Sequence, residues 1–474
     1  MGHVLMTNPI VILVEDDPEQ SEVSQGVLEA AGYTVHSFNA IAPAQGYIRE
    51  STDLIDLFVL DRRLPVNAGE PATDEFGDEL LNEVRSGHPD ARLIVFTGFA
   101  TIRHVQESLQ GSGQLPAQDG QPLDRVTVLE KDQSLEFKEQ VEQFRQLLQV
   151  LNDIEIITPS SNDPLNALDK RVLRRLAFDY RAVSVSVSSL AGGLTGASVW
   201  RCQINRAEGR IATVVAKRVK SPGSPGGLPE LLPRANTTAT VRTLSGLMAG
   251  GHLNVLQLAG ESPFALMDVI AEQPARAVEL AKPVWDALHG VSAQRTTLTV
   301  AELCEPLIAW ERLPELLGAH GIQVPAGSLA VTTQVGPRHG DLHPGNILID
   351  NGQAVLIDFD SGTFAAGALD PITMLISTLV HPDSPICGAA WPDPAHIASA
   401  FATQEFGRGH PCEAWFGGVR DWIDECQTSQ REYWALVLAY AGRQLGYSDV
   451  IGNRETVDRI LAIAGRASEA LGSS

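Results

Sequence analysis

The most chemically suggestive string in this chain is His339-Gly-Asp-Leu-His-Pro-Gly-Asn346, followed by Leu356-Ile-Asp-Phe-Asp360. Asp341 and Asn346 stand five residues apart, which fits a tight loop with a base at one end and a metal ligand at the other. Asp358 ends an apolar run, so a strand there would carry a carboxylate toward the same metal. Moving a phosphoryl group from a nucleotide needs such parts: a base for the attacking hydroxyl, oxygen ligands for magnesium, and a cation near the phosphates. Lys217, closing Val214-Val-Ala-Lys217, is a candidate for that cation. The turn at 191–197 holds Gly192, Gly193 and Gly196, which let a backbone pass close to phosphates without Cβ clashes. Taken alone, that turn reads better as an ordinary hairpin turn, and Lys217 as a solvated strand-end lysine. The set from His339 to Asp358 gives them their weight.

A second set of polar residues falls where apolar runs stop. Glu15 and Asp16 follow Ile10–Val14, Asp61 follows the run 57–60, Thr97 follows 93–96, and Lys131 follows Val126–Glu130. If these runs are neighbouring parallel strands, their ends converge on one edge of a sheet. Three carboxylates there repel one another unless a hard divalent cation sits between them, and oxygen ligands suit magnesium. A neighbouring hydroxyl and ammonium could bind the oxygens of a phosphoryl group carried by one carboxylate. Any single acid at a strand end is ordinarily a solvated cap. The ordered set is the signal.

The elements needed to position both sets are legible in outline. Up to about residue 151, short apolar runs, with Thr34–Phe38 the weakest, alternate with helical periodicity at 20–31, 78–85 and 135–151. That alternation predicts a parallel sheet with helices on both faces. The polar stretch 158–164 has the turn chemistry of a linker. Beyond it, strands are expected at 184–188, 198–203 and 211–217. A Pro/Gly-rich loop at 221–229 and a mostly helical remainder, interrupted by a strand at 354–357, complete an α+β arrangement. The segments 65–76 and 111–122 read as polar surface insertions.

Composition bounds the rest. A chain of 474 residues, 44% hydrophobic and 20% charged, predicts two or three globular domains. A formal net charge of -23 argues against non-specific nucleic-acid binding, and no basic helix is evident. The five cysteines show no paired metal-ligand spacing and read as reduced thiols. With no bilayer-length apolar run and no basic-flanked leader, the expected location is cytoplasmic.

Val14-Glu-Asp-Asp17, Leu60-Asp-Arg-Arg-Leu-Pro65, Phe96-Thr-Gly98 and Glu130-Lys131 together resemble response-regulator receiver domains, over residues 8–151. The resemblance implies a doubly wound, five-stranded parallel α/β fold with Asp61 as phosphoacceptor. It implies that Glu15, Asp16, Asp61 and the backbone carbonyl of Arg63 hold magnesium, and that Thr97 and Lys131 contact the phosphoryl group. A cognate sensor histidine kinase would be the phosphodonor, and a homodimer through the last receiver helix is consistent with the family. Two positions depart from the pattern: Val128 stands where relatives carry an aromatic residue, and Asp132 where they carry proline. The usual relay from the phosphorylation site is therefore in question.

The string 339–346 with Asp358 resembles the aminoglycoside phosphotransferase and choline kinase-like branch of the protein-kinase-like fold, over 183–474. The resemblance implies an N-lobe at about 183–260 and a C-lobe at about 261–474, with 152–182 as linker. It makes Asp341 the catalytic base, Asn346 and Asp358 the magnesium ligands, and Lys217 a contact to the phosphates of ATP. His339 would brace the loop, Asp370 would be structural, and His343 is either a packing residue or a substrate contact. Glu230 is the nearest candidate for the acidic partner of Lys217. Asp360, where protein kinases have glycine, favours the small-molecule branch. Two readings follow. One is a phosphotransferase with an unidentified small-molecule or protein acceptor, controlled by phosphorylation of Asp61. The other is a nucleotide-binding scaffold that signals through partners without turnover.

Overall fold

The computed structural model describes residues 8–97, 113–116, 123–158, 165–190, 198–220, 227–238, 240–291, 293–387 and 389–473. The chain divides into two compact units, residues 1–222 with 240–256, and residues 223–239 with 257–474.

The first unit opens with β1 (Ile10–Val14), α1 (Pro18–Ala30), β2 (Thr34–Phe38), α2 (Ile41–Glu50), β3 (Ile55–Leu60), α3 (Asp74–Gly87), β4 (Arg92–Thr97), β5 (Val126–Glu130) and α4 (Ser134–Asp153). The strands form a parallel sheet in the order β2-β1-β3-β4-β5. Every residue of β3 and β4 is buried, because helices cover both faces. This is why these strands read as unbroken apolar runs rather than alternating ones. Asp17 starts α1 by accepting the N–H groups of Glu19 (2.9 Å) and Gln20 (3.2 Å), with Pro18 at the first helical position. The strand order reverses between β1 and β3, and ligands of such sheets bind at that switch point.

The same unit continues with β6 (Glu155–Ile157), α5 (Ala167–Asp179), β7 (Ser184–Ser189), β8 (Val199–Arg206), β9 (Gly209–Val219), β10 (Thr240–Leu244) and β11 (His252–Gln257). They form a six-stranded sheet in the order β10-β11-β9-β8-β7-β6. The segment 152–182, expected to be a linker, is instead structural: β6 pairs in parallel with β7, and α5 fills much of the rest. Only the stretch 158–164 has linker chemistry, and 159–164 lies outside the described residues. The helix is hard to read from sequence because its apolar positions, Val172, Leu173, Leu176 and Ala177, are interrupted by Arg174 and Arg175, of which Arg175 is buried. The insertion expected at 65–76 is partly the first turn of α3, while most of 111–122 lies outside the described residues.

One apolar cluster runs through this unit, from Phe144, Leu148 and Leu151 of α4, through Val172 and Leu176 of α5, to Val185, Cys202, Ala216 and Val255 of the second sheet. Polar contacts follow it. Arg171 of α5 pairs with Asp56 of β3 at 2.7 Å, both side chains being largely buried. The carboxylate of Asp90 accepts the backbone N–H groups of Met248 (3.0 Å) and Gly250 (2.9 Å).

The second unit contains β12 (Phe264–Ala265), α6 (Leu266–Glu272), α7 (Pro274–His289), β13 (Gln294–Thr299), β14 (Ala330–Arg338), β15 (Ile347–Asp350), β16 (Gln353–Leu356), β17 (Thr363–Ala366), α8 (Leu369–Val380), α9 (Glu413–Cys426), α10 (Gln430–Gln444) and α11 (Arg454–Gly472). Two small sheets, β12-β15-β16 and β13-β14-β17, sit among the helices. More strands occur here than the single one expected at 354–357. Gln294–Thr299 and Ala330–Arg338 are rich in β-branched residues but too polar to mark a core strand. Helix α8 is buried along its whole length. Trp415 and Trp422 belong to the core of this unit. The fold is thus a doubly wound receiver-type α/β domain followed by an α+β kinase-like domain.

Candidate phosphoacceptor centre and catalytic loop

At the carboxyl ends of β1 and β3, Glu15, Asp16 and Asp61 bring carboxylate oxygens within 4.8 Å of one another. Asp61 is fixed by its own backbone N–H, which donates to Val14 O at 2.9 Å. From the end of β5, Lys131 donates its ammonium to Asp61 Oδ2 (2.7 Å) and Glu15 Oε1 (2.8 Å). Its backbone N–H reaches the carbonyl of Thr97, a buried residue at the end of β4, at 3.0 Å. The N–H of Arg63 donates to Asp61 Oδ1 at 3.3 Å. Glu15, Asp16, Asp61 and Lys131 therefore meet at one edge, with Thr97 and Arg63 next to them in the backbone network.

The electrostatics suit a hard cation. Burial, together with the charge of Asp61, pushes the Glu15 carboxyl up to about 7 despite its bond to Lys131. Burial and the same charge raise Asp16. Burial alone would lower Lys131, but its bonds to Asp61 and Glu15 outweigh this and raise it. A divalent ion placed among the three oxygens would relieve the crowding, so the residues fit magnesium. Val128 is buried in the sheet core.

In the second unit, the loop after β14 carries Asp341 and Asn346. It is closed on itself: the Asn346 amide donates to the Asp341 carbonyl (2.8 Å), and the His343 N–H donates to the same carbonyl (3.0 Å). Asp370, at the start of α8 and 1% exposed, accepts the N–H groups of His339 (3.1 Å) and Gly340 (3.0 Å). His339 Nε2 lies 2.8 Å from the carbonyl of Ile357, which ties the loop to the segment leading into Asp358. Gly340 has φ +79°, and a Cβ there would stand 2.2 Å from the carbonyl oxygen of Ser361, so only glycine fits. Asp358 itself is left-handed at φ 60°, ψ 65°. For a residue with a Cβ this costs on the order of 1–3 kcal/mol and is characteristic of functional sites.

His343 packs against His381, with ring centroids 4.5 Å apart. Burial, then the neighbouring histidines, push it down to about 3, so it stays neutral. Arg443 of α10 was not foreseen. Its Nη1 donates to Gly340 O (3.2 Å), its Nε to the Tyr447 hydroxyl (2.8 Å), and its Nη2 lies 3.7 Å from Asp341 Oδ1. Nothing in its local sequence marks it, since it meets the loop only through tertiary packing. Lys217, 9% exposed, stands on β9 of the first unit. Glu230, exposed, is on the short helix Leu228–Leu231 of the second. Gly192, Gly193 and Gly196 lie outside the described residues, as does Gly98.

Asp370→Ala is expected to strand two buried N–H donors, at about 1–3 kcal/mol each. Thermal unfolding should fall accordingly in the variant, and an unchanged midpoint would show that the loop does not depend on this carboxylate.

The closed loop with its acid and amide, and the left-handed acid after β16, define a kinase-like phosphotransferase domain. The model of the family described as "Phosphotransferase enzyme family" matches residues 118–399, more than half of the chain. The chain belongs to the phosphotransferase enzyme family. Among solved structures, it is similar to a receiver domain protein (CheY-like) from Methanospirillum hungatei, at 20% identity and a TM-score of 0.22, covering 30% of this chain and 99% of that one. It is also similar to a thermostable mutant of aminoglycoside phosphotransferase APH(4)-Ia, at 14% identity and a TM-score of 0.39, covering 64% and 99%. A glucosamine kinase is a further likeness, at 16% identity and a TM-score of 0.36, covering 63% and 85%. A search of the curated proteins found no match. Among the described residues, no helix is long and apolar enough to cross a membrane.

Proposed function

We propose that this chain is a two-component signalling protein in which phosphorylation of Asp61 regulates an ATP-dependent phosphotransferase domain acting on a hydroxyl acceptor. The observation that carries this reading is the loop of Asp341 and Asn346, closed by its own hydrogen bonds, in a member of the phosphotransferase family. Asp341 accepts the proton of the acceptor hydroxyl as its oxygen bonds to the γ-phosphorus and the bond to the ADP oxygen breaks. Asn346 and Asp358 would hold magnesium, which supplies charge neutralisation at the phosphates. Lys217 and the backbone of Gly192, Gly193 and Gly196 would contact the phosphates.

In the receiver, an Asp61 oxygen takes the phosphoryl group from a sensor kinase histidine, forming an O–P bond as the N–P bond breaks. Glu15, Asp16, Asp61 and the Arg63 carbonyl would hold magnesium there, while Thr97 and Lys131 would bind the phosphoryl oxygens. The present Lys131–Asp61 bond is then the contact that rearranges. Regulation has a physical route, because α4 and α5 join the receiver to the second sheet through one core. The functional division is receiver 8–151 followed by the phosphotransferase domain, working in the cytoplasm.

The test is nucleotide binding and slow hydrolysis by the full-length protein with and without magnesium, and with and without beryllofluoride. Magnesium-dependent binding that is lost in Asp358→Ala is expected, with a beryllofluoride response that is lost in Asp61→Asn. Failure to bind nucleotide under any of these conditions would overturn the enzyme reading in favour of a scaffold.

A further inference from the structure

The turn between β10 and β11 is held in an unfavourable shape. Leu247 (φ 62°) and Ala249 (φ 52°) are left-handed, set between Gly246 (φ 87°) and Gly250 (φ 77°). A residue with a Cβ stays in that region only where its surroundings over-determine it. Here the surroundings are receiver loops. Asp90, between α3 and β4, accepts the N–H groups of Met248 and Gly250 on a single oxygen, Oδ2, at 3.0 and 2.9 Å. Pro89 lies against Gly250, where a Cβ would stand 2.9 Å from its Cγ. Pro116 lies against Gly246, where a Cβ would stand 3.5 Å from its Cδ. Leu247 and Met248 are buried in the shared core.

The receiver side of this joint is well braced. Arg125, just before β5, donates to the carbonyls of Arg85 (3.4 Å) and Ala91 (3.3 Å), on either side of Asp90. The charges of Arg125 and Arg175 both act on the Asp90 carboxylate. Asp90 stands two residues before β4, and Thr97 ends that strand at the phosphoacceptor edge. All six residues of β4 are buried, and the strand is paired on both sides. Its length is fixed by covalent geometry, so an axial shift at Thr97 is carried toward Asp90.

The far side of the joint leads to Lys217. Gly251 follows the turn and lies beside the carbonyl of Val219, which a Cβ there would approach to 3.5 Å. Strand β11 neighbours β9 in the sheet, and Lys217 stands two residues before Val219. The strain at Leu247 and Ala249 opposes the two hydrogen bonds to Asp90, and these terms are of the same order. An element balanced in this way is tipped by a small shift.

We propose that Asp90 is a positioning residue that couples the phosphoacceptor to the nucleotide side of the second sheet. The state of Asp61 sets the turn 245–251 through Asp90, and the turn sets the end of β9 that carries Lys217. This rests on the reading of Asp61 as phosphoacceptor and Lys217 as nucleotide contact. It needs no aromatic residue at position 128, where the chain has valine.

Amide hydrogen exchange is measured on the full-length protein in magnesium, with and without beryllofluoride, for wild type, Asp90→Ala and Asp90→Asn. In wild type, beryllofluoride should change exchange about fivefold at Met248 and Gly250, with a parallel change at 214–219. In Asp90→Ala these two amides should exchange about tenfold faster. The beryllofluoride response at 245–251 and 214–219 should then be lost, while that at 60–64 stays. Asp90→Asn keeps an oxygen acceptor and should keep the whole response. The wild-type comparison needs no variant to fold. A response at 60–64 with none at 245–251, or one at 245–251 that survives in folded Asp90→Ala, would overturn the proposal. A response that stops at 245–251 would overturn the step to Lys217. Absence of any response, at 60–64 included, would overturn the phosphoacceptor reading along with it.

Discussion

Replacing Asp341 with asparagine is expected to leave magnesium–nucleotide binding intact while lowering turnover by roughly 10²–10⁴-fold, the usual contribution of a general base. The variant is informative because the loop is not held by this side chain. Asn346 and His343 bond to the backbone carbonyl of residue 341, and Asp370 holds the preceding N–H groups. Asparagine therefore keeps the loop's shape while replacing the carboxylate that is proposed to take the proton. One further contact is lost, the 3.7 Å approach of Arg443 Nη2 to Asp341 Oδ1. With Asp341 35% exposed, that pair contributes at most about 1 kcal/mol. Arg443 stays tied to Gly340 O and Tyr447 in any case. Coupled detection of ADP release, nucleotide titration and thermal unfolding separate these effects. Turnover within threefold of wild type would mean that Asp341 is not the base. Loss of nucleotide binding would mean that it acts as a ligand instead.

How much of this was readable beforehand depends on whether each feature was local. Strands β1, β3 and β4 announced themselves because both faces are buried, so each carries a continuous apolar run with a polar residue at its end, whereas the edge strand β2, Thr34–Phe38, has no buried residue and reads weakly. Glu15, Asp16, Asp61 and Lys131 were readable for the same reason: in a parallel sheet, strand ends converge whatever the loops do. The loop 339–346 was legible because its parts lie within one turn of chain. Arg443 and the Asp90 contacts to residues 248 and 250 were not, since each joins positions far apart in sequence. Strands β13 and β14 were hidden by their polarity, and α5 by arginines among its apolar positions. The boundary suffered most. A polar stretch at 158–164 looks like the seam between two domains, yet the helix after it helps to build one core with the receiver.

That core leads to the second large expected effect: a chain beginning at residue 154, with the receiver removed, should not fold as a soluble phosphotransferase. Helix α4 buries Val141, Phe144, Leu148 and Leu151 completely, in the same cluster as Val172, Leu173, Leu176, Val185 and Val255. Cutting it away exposes the apolar face of α5 and of the second sheet. At roughly 1.5–3 kcal/mol per large apolar side chain, a few lost contacts approach the whole stability of a domain, about 5–15 kcal/mol. Two polar terms add to this. Arg171 loses Asp56, and removing one member of a buried pair costs about 3–5 kcal/mol. The N–H groups of Met248 and Gly250 lose the Asp90 carboxylate. The single substitution Asp56→Ala in the full chain removes the ion pair together with the 3.3 Å bond from the Ile10 N–H, and should lower stability by at least about 3–5 kcal/mol in a denaturant titration. The truncated chain should be insoluble or bind a hydrophobic dye without a cooperative melt. If it melts cooperatively within a few degrees of the full chain, the receiver is a separable module, and a signal at Asp61 must then reach the phosphotransferase domain by some route other than this core.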